Sequence, residues 1–279
     1  MAPIDDALLA DLSALVSRAG RAILEVARSA LAVAEKADRS PVTAADRAAQ
    51  NVILDGLARL LPGVPVVSEE SEANAGRRFG DETFVLVDPL DGTREFVAGI
   101  DEYTVNVALV SGGRPTAGLV FLPARGVLYR GRAGVGAERV AVPAGAADGP
   151  AVAIRTRPCP AAGLVAAVSR SHLDPRSEQF LAARGAGQRI ACGSAVKFGL
   201  LAEGAADVYP RLAPTREWDV AAGHAVLAAA GGVVVRPDGS PLAYGDGPGG
   251  FLVPGFVAWG DPAATAPGCP EGAPAPVRA

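Results

Sequence analysis

Phe84-Val85-Leu86-Val87 runs straight into Asp88-Pro89-Leu90-Asp91-Gly92-Thr93-Arg94-Glu95-Phe96. The apolar run predicts a buried strand that delivers a carboxylate at its C-terminal end. Asp88 and Asp91, three residues apart across a proline, predict a sharp turn that presents both carboxylates with the Leu90 carbonyl between them. Gly92 then lets the backbone approach closely, and Thr93 opens a short helix whose free N–H groups can hold a phosphate. Pro, Asp and Gly also favour ordinary surface turns. The reading therefore depends on what the rest of the chain brings to this segment.

Two other stretches place acids where strand or helix propensity does not ask for them: Ser68-Glu69-Glu70-Ser71 after the apolar run from Val64, and Trp218-Asp219. Gathered carboxylates repel one another and are driven toward protonation unless cations neutralise them. Hard divalent ions such as Mg2+ meet that need with oxygen ligands, and two of them could share Asp88. Such a pair, with the helix end at Thr93, would grip one phosphoryl group from two sides during in-line attack by water. Asp46 is the candidate base for that water, acting through or beside the Thr93 hydroxyl. Each of these residues also has a plainer reading. Thr43-x-x-Asp46 matches a capping box, Asp219 suits the first turn of a helix, and Glu70 and Glu72 suit a solvated loop.

Apolar positions at helical spacing predict a long amphipathic helix over residues 5–34 and a second from Thr43 to just before Pro62-Gly63. Antiparallel strands are predicted at 103–110, 116–122 and 126–132. Residues 134–162, rich in Gly, Ala and Pro, mark the expected junction between an N-terminal half (1–145) and a C-terminal half (146–261), with a disordered tail at 262–279. The second half alternates. Strands are predicted at 164–169, 188–192, 206–209 and 232–236, and helices at 175–183, 194–203 and 218–230, a layered α/β pattern.

The formal net charge of -4, with no basic run, argues against a nucleic-acid polymer as partner. Cys159, Cys192 and Cys269 are odd in number and lack metal-binding spacing, which suits a reducing compartment. Charged residues interrupt every long apolar stretch, so no integral membrane segment is expected, and the N-terminus lacks signal-peptide character. The expectation is a soluble cytoplasmic protein acting on a small molecule, with its oligomeric state open.

Ser40-Pro-Val-Thr-Ala-Ala-Asp46, Ser68-Glu-Glu-Ser71, Asp88 to Phe96 and Trp218-Asp-Val-Ala-Ala-Gly223 resemble, in order and separation, the inositol monophosphatase superfamily. Glu95-Phe96, Tyr103 to Leu109, Ser169-Arg-Ser-His172 and Gly193-Ser-Ala-Val-Lys197 are similar to its CysQ-type branch, the 3'(2'),5'-bisphosphate nucleotidases. The resemblance implies an α/β (α+β) fold, a layered αβαβα sandwich of the inositol monophosphatase and fructose-1,6-bisphosphatase type. It also implies two or three Mg2+ ions per site, lithium sensitivity and a role in sulfate assimilation, where 3'-phosphoadenosine 5'-phosphate is hydrolysed to AMP and phosphate.

Carried over by position, Glu69, Asp88 and the Leu90 carbonyl would hold one ion, Asp88, Asp91 and Asp219 a second, and Glu69 a weaker third. Asp46 and Thr93, with Glu69, would activate water, while Asp91-Gly92-Thr93 binds the departing phosphate. His172, Ser194, Lys197 and Arg211 would contact the rest of the substrate, with Tyr209 near the base. Taken without the resemblance, Lys197 suits an exposed helix lysine, and His172 a loop histidine. His224 reads as a packed helix residue and Cys192 as buried filler. Inositol monophosphate and fructose 1,6-bisphosphate are the alternative substrates, and a non-catalytic metabolite sensor is the alternative class.

Overall fold

A computed structural model describes residues 4–32, 41–74, 76–143, 149–160, 163–171 and 173–265. Two helices, α1 (Asp6–Ala32) and α2 (Pro41–Leu60), pair along their apolar stripes. They are followed by β1 (Val66–Ser68), β2 (Phe84–Asp91), the short α3 (Thr93–Val97), and then β3 (Thr104–Ser111), β4 (Arg114–Leu122), β5 (Val127–Arg132), β6 (Gly136–Ala141) and β7 (Ala151–Ile154). These seven strands form one sheet in chain order, with β1 and β2 parallel and every later pair antiparallel.

The second half comprises β8 (Val165–Ser169), α4 (Pro175–Ala183), β9 (Gln188–Cys192), α5 (Val196–Ala202) and β10 (Val208–Arg211). It continues with β11 (Thr215–Arg216), α6 (Glu217–Ala229), β12 (Val233–Val235), β13 (Leu252–Val253) and β14 (Phe256–Trp259). A five-stranded sheet runs β12-β14-β10-β8-β9, and β11 pairs with β13. Helices α1 and α2 cover one face of the first sheet, and α5 and α6 lie between its other face and the second sheet. Helix α4 closes the far face of the second sheet around Leu181, Val208 and Trp259. The five layers are the expected αβαβα sandwich.

Period-two alternation decides which side chains meet which helices. In β2, Val85 and Val87 pack toward α1 and α2, whereas Phe84 and Leu86 join the core beneath α6. Asp88 continues the phase of Phe84 and Leu86, so the strand itself aims this acid at the α6 side. The register pairs Asp88 with Asn106 and Asp91 with Thr104 across β3, with a bulge between the two acids. The expected sharp turn is thus a bulged strand end. The bulge accommodates Pro89, which has no N–H to give the ladder, and Leu90 N–H donates to Asp88 Oδ1 at 3.1 Å.

Helix α6 approaches the first sheet closely because the strip beneath it lacks side chains. Gly118 and Gly131 face each other on β4 and β5. A methyl on Gly118 would lie 2.2 Å from the Ala222 carbonyl oxygen, and one on Gly131 would lie 2.9 Å from Val226 Cα. The α6 residues at this contact are themselves small, Ala222, Ala225 and Ala229. Residues 134–162, expected to be a junction, contain two strands that complete the first sheet. The expected tail begins with a 3-10 turn over Pro262–Thr265 that buries Ala264, and residues 266–279 lie outside the described residues. No helix among the described residues is long and apolar enough to cross a membrane.

Candidate active site

The strand ends of the first sheet, the N-terminus of α6 and the turn between β9 and α5 enclose a cavity of about 270 Å³. Glu69, Asp88, Leu90, Asp91, Gly92, Thr93, Ser194, Lys197, Arg211 and Asp219 all line it. One carboxylate oxygen from each of Glu69, Asp88 and Asp219 lies within 4.8 Å of the other two. Asp91 stands beside this trio, and its Oδ2 accepts from Ser194 Oγ at 2.6 Å and from Asn106 Nδ2 at 3.4 Å. Ser194 Oγ also meets the Thr104 hydroxyl.

Crowding is written into the ionisation of these groups. Burial, then the Asp91, Glu69, Asp219 and Asp46 charges, push Asp88 well above the usual carboxylate range. Glu69 reaches solvent at its edge, but the enclosure of its carboxylate, then Asp219 and the other acids, push it up to about 7. Burial and the Asp91 charge raise Asp219 to about 6, against the Thr215 hydroxyl, the Arg216 N–H and Arg211, which oppose the rise. An all-oxygen set of this kind, too crowded to ionise freely alone, fits one or more divalent cations.

Asp219 satisfies both readings. It is the third residue of α6, and its carboxylate accepts from the Arg216 N–H at 3.1 Å and from the Thr215 hydroxyl. The same carboxylate reaches Glu69 and Asp88. Asp46 is not a cap: α2 starts at Pro41, which puts Asp46 in the second turn, buried and close enough to raise both Glu69 and Asp88. Burial and then Glu70 push Asp46 up to about 7, and its Oδ1 has no hydrogen-bond partner. Asn106 Oδ1 and Arg211 Nε are likewise buried without one. Gly92 has φ of 89°, a conformation that favours glycine, and it opens α3 at Thr93 without a side-chain cap.

Lys197 is not the exposed helix lysine that its local sequence allows. It is 2 % exposed, its Nζ donates to Cys192 O at 3.1 Å and Ser194 O at 2.5 Å, and it lies 5.1 Å from the Tyr209 ring centroid. Tyr209 is buried among Phe198 and Phe256 and supports Lys197 from behind. Helix α5 begins at Val196, two residues later than expected, because Ser194 adopts φ of 51°. His172 lies outside the described residues. His224 is partly buried on α6 with Nδ1 against Tyr244 Oη at 2.8 Å, and burial pulls it down to about 4. Cys192 is buried, as expected of filler.

Arg94, Glu95 and Ser169 also line the cavity, and sequence reasoning gave them no role in the site. Glu95 is buried and accepts from Ser171 Oγ at 2.7 Å. Its signal was available, since it follows Thr93 by two residues on the same short helix.

A layered sandwich with acids from strand ends and a helix start gathered at one cavity defines a metal-dependent phosphatase architecture. Residues 5–258 match the inositol monophosphatase family, and the chain belongs to it. It is 42% identical over 251 residues to the 3'(2'),5'-bisphosphate nucleotidase CysQ of Escherichia coli strain K12, covering 89% of this chain and 98% of that one. The Salmonella typhimurium CysQ is 41% identical over the same shares. Among solved structures, CysQ from Bacteroides thetaiotaomicron superposes with a TM-score of 0.80 at 36% identity, covering 90% of this chain and 96% of that one.

Proposed function

We propose that this protein is a Mg2+-dependent 3'(2'),5'-bisphosphate nucleotidase that hydrolyses 3'-phosphoadenosine 5'-phosphate to AMP and phosphate. The carrying observation is a cavity whose acids, Glu69, Asp88 and Asp219, share the lining with the basic side chains of Lys197 and Arg211, besides Arg94. One wall suits cations and the phosphate to be cleaved. The other suits a second anionic group, which inositol monophosphate lacks. The resemblance to CysQ proteins over most of the chain supports the nucleotide over a sugar bisphosphate.

Glu69, Asp88, Asp91, Asp219 and the Leu90 carbonyl would hold two or three Mg2+ ions. Bound there, Mg2+ would neutralise phosphoryl charge and make water more acidic. Asp46, with an unpartnered Oδ1, takes the proton that leaves the attacking water, and the Thr93 hydroxyl orients that water. The backbone N–H groups following Gly92 receive the departing phosphate. Ser194, Lys197, Arg211 and His172 bind the remainder of the substrate. A buried Asp46 beside the acid cluster supports an enzyme over a sensor, which needs no base. The cytoplasm is the proposed compartment.

Steady-state kinetics of the purified protein with Mg2+ on 3'-phosphoadenosine 5'-phosphate, inositol monophosphate and fructose 1,6-bisphosphate tests this reading. The nucleotide should have the highest kcat/KM. A strong preference for inositol monophosphate would overturn the assignment.

A further inference from the structure

Glu102 lies just before β3, 6 % exposed, and the mechanism above does not use it. Its carboxylate nevertheless collects four hydrogen bonds. Arg125 Nη2 donates to Oε1 at 2.9 Å, Arg170 donates to both oxygens at 3.0 Å, and the Gly193 N–H donates to Oε2 at 2.9 Å. Burial pushes this carboxyl up, but the Arg170 and Gly193 hydrogen bonds and the two arginine charges outweigh it and hold it below the usual range. The group is therefore a fixed anion. It ties the β4–β5 connection and the end of β8 to the turn that carries Ser194.

The backbone beside Glu102 is equally engaged. A methyl on Gly92 would lie 3.3 Å from Glu102 O and 3.2 Å from Ser194 Cβ, and one on Gly193 would lie 3.0 Å from Glu102 O and 2.6 Å from Glu95 Cγ. The Asp91-Gly92 segment and the Gly193-Ser194 turn thus meet across Glu102. Ser194 sits at φ of 51°, an unfavourable conformation for a residue with a side chain. In that conformation its hydroxyl reaches Asp91 and its carbonyl accepts from Lys197. A strained turn persists only where its surroundings over-determine it, and the Gly193 N–H to Glu102 bond is the charged anchor immediately before the strained residue.

We propose that Glu102 is a positioning residue for substrate selection: by holding the Gly193-Ser194 turn against the Asp91-Gly92 segment, it fixes Ser194 and Lys197 at the distance from the acids that a second phosphate requires. The proposal rests on the nucleotidase reading. It adds a residue outside the cavity lining that sets the preference for a doubly phosphorylated substrate over a singly phosphorylated one.

The test compares 3'-phosphoadenosine 5'-phosphate with 3'-AMP, which carries the cleaved phosphate alone, in wild type, Glu102→Gln and Arg170→Gln. Losing the charged anchor should raise KM for the bisphosphate about tenfold or more. KM for 3'-AMP and kcat for both substrates should stay within about threefold, which is under 1 kcal/mol. Arg170→Gln, which removes two of the four bonds through a side chain that is 41% exposed, should shift the same ratio in the same direction by less. Equal losses on both substrates, or an unchanged bisphosphate KM, would overturn the proposal. If Glu102→Gln does not fold, Arg170→Gln decides by the same criteria. A wild type with no preference for the bisphosphate would instead refute the nucleotidase reading, and the Glu102 proposal would fall with it.

Discussion

Replacing Asp219 by asparagine should make the metal-free protein more stable and blunt its response to Mg2+. Asp219 rises from an ordinary 3.8 to about 6, chiefly through burial and then the Asp91 charge. Two pKa units at about 1.4 kcal/mol each amount to roughly 3 kcal/mol of destabilisation at neutral pH. The sign follows from proton counting. Between pH 3.8 and about 6 the native state holds the proton that the unfolded chain has released, so stability is present below this window and lost as pH rises through it. Asparagine carries no charge, yet its carbonyl oxygen can still accept from the Arg216 N–H and the Thr215 hydroxyl.

At pH 7.5 in EDTA the variant should therefore gain about 1–3 kcal/mol, a Tm increase of roughly 2–5 °C for a chain of this size. Mg2+ at a hundredfold over its dissociation constant should stabilise wild type by about 2.7 kcal/mol, and the variant by less, because one ion loses its Asp219 ligand while Glu69, Asp88 and the Leu90 carbonyl remain. Thermal melts followed by circular dichroism, with EDTA and with saturating Mg2+, read both effects. A variant that melts below wild type in EDTA would refute the claim that this buried, crowded carboxylate costs the metal-free protein stability. Asp219→Ala, which also deletes the capping acceptor, should gain less than Asp219→Asn.

Asp46→Asn should lower kcat by about 10²–10⁴ while Mg2+-dependent binding of the nucleotide persists, as isothermal titration would register; unchanged turnover would remove Asp46 from its role. Gly118→Ala should cost about 1–3 kcal/mol in urea unfolding, because its methyl has no space beneath the Ala222 carbonyl; a neutral outcome would mean that α6 can lift. His224 is held neutral down to about pH 4 against an ordinary 6.5, so it withdraws up to roughly 3–4 kcal/mol of stability as pH falls from 6.5 to 4. His224→Gln should flatten that acid limb in chemical unfolding across this range, and an unaltered limb would assign the acid sensitivity elsewhere.

The acid positions were legible because strand phase and chain order act locally: an apolar run ending in Asp88 can only aim that residue at one face. Helix α4 matched its expected span because capping by Asp174 is a local signal as well, and β9 matched its expected span too. Strands β6 and β7 were not legible, since Gly, Ala and Arg dilute the alternation that marks a strand, and pairing to β5 supplies what propensity lacks. Pro89 hid the continuation of β2, which only the bulge opposite Asn106 permits. The burial of Lys197 depends on carbonyls exposed by a strained turn, and the Glu102–Arg170 pair joins residues 68 positions apart. Neither leaves a spacing to read.

Helix α6 is wedged between two sheets, with bare backbone against it on one side and aromatic side chains on the other. Its first turn holds Asp219, so that acid is referenced to a beam that cannot rock without colliding with β4. Ser194 and Lys197 hang on a separate turn, one whose posture is set by side-chain ties. A lineage could accordingly retune which phosphorylated metabolite it accepts by altering those ties, while the cleavage machinery stays locked in place.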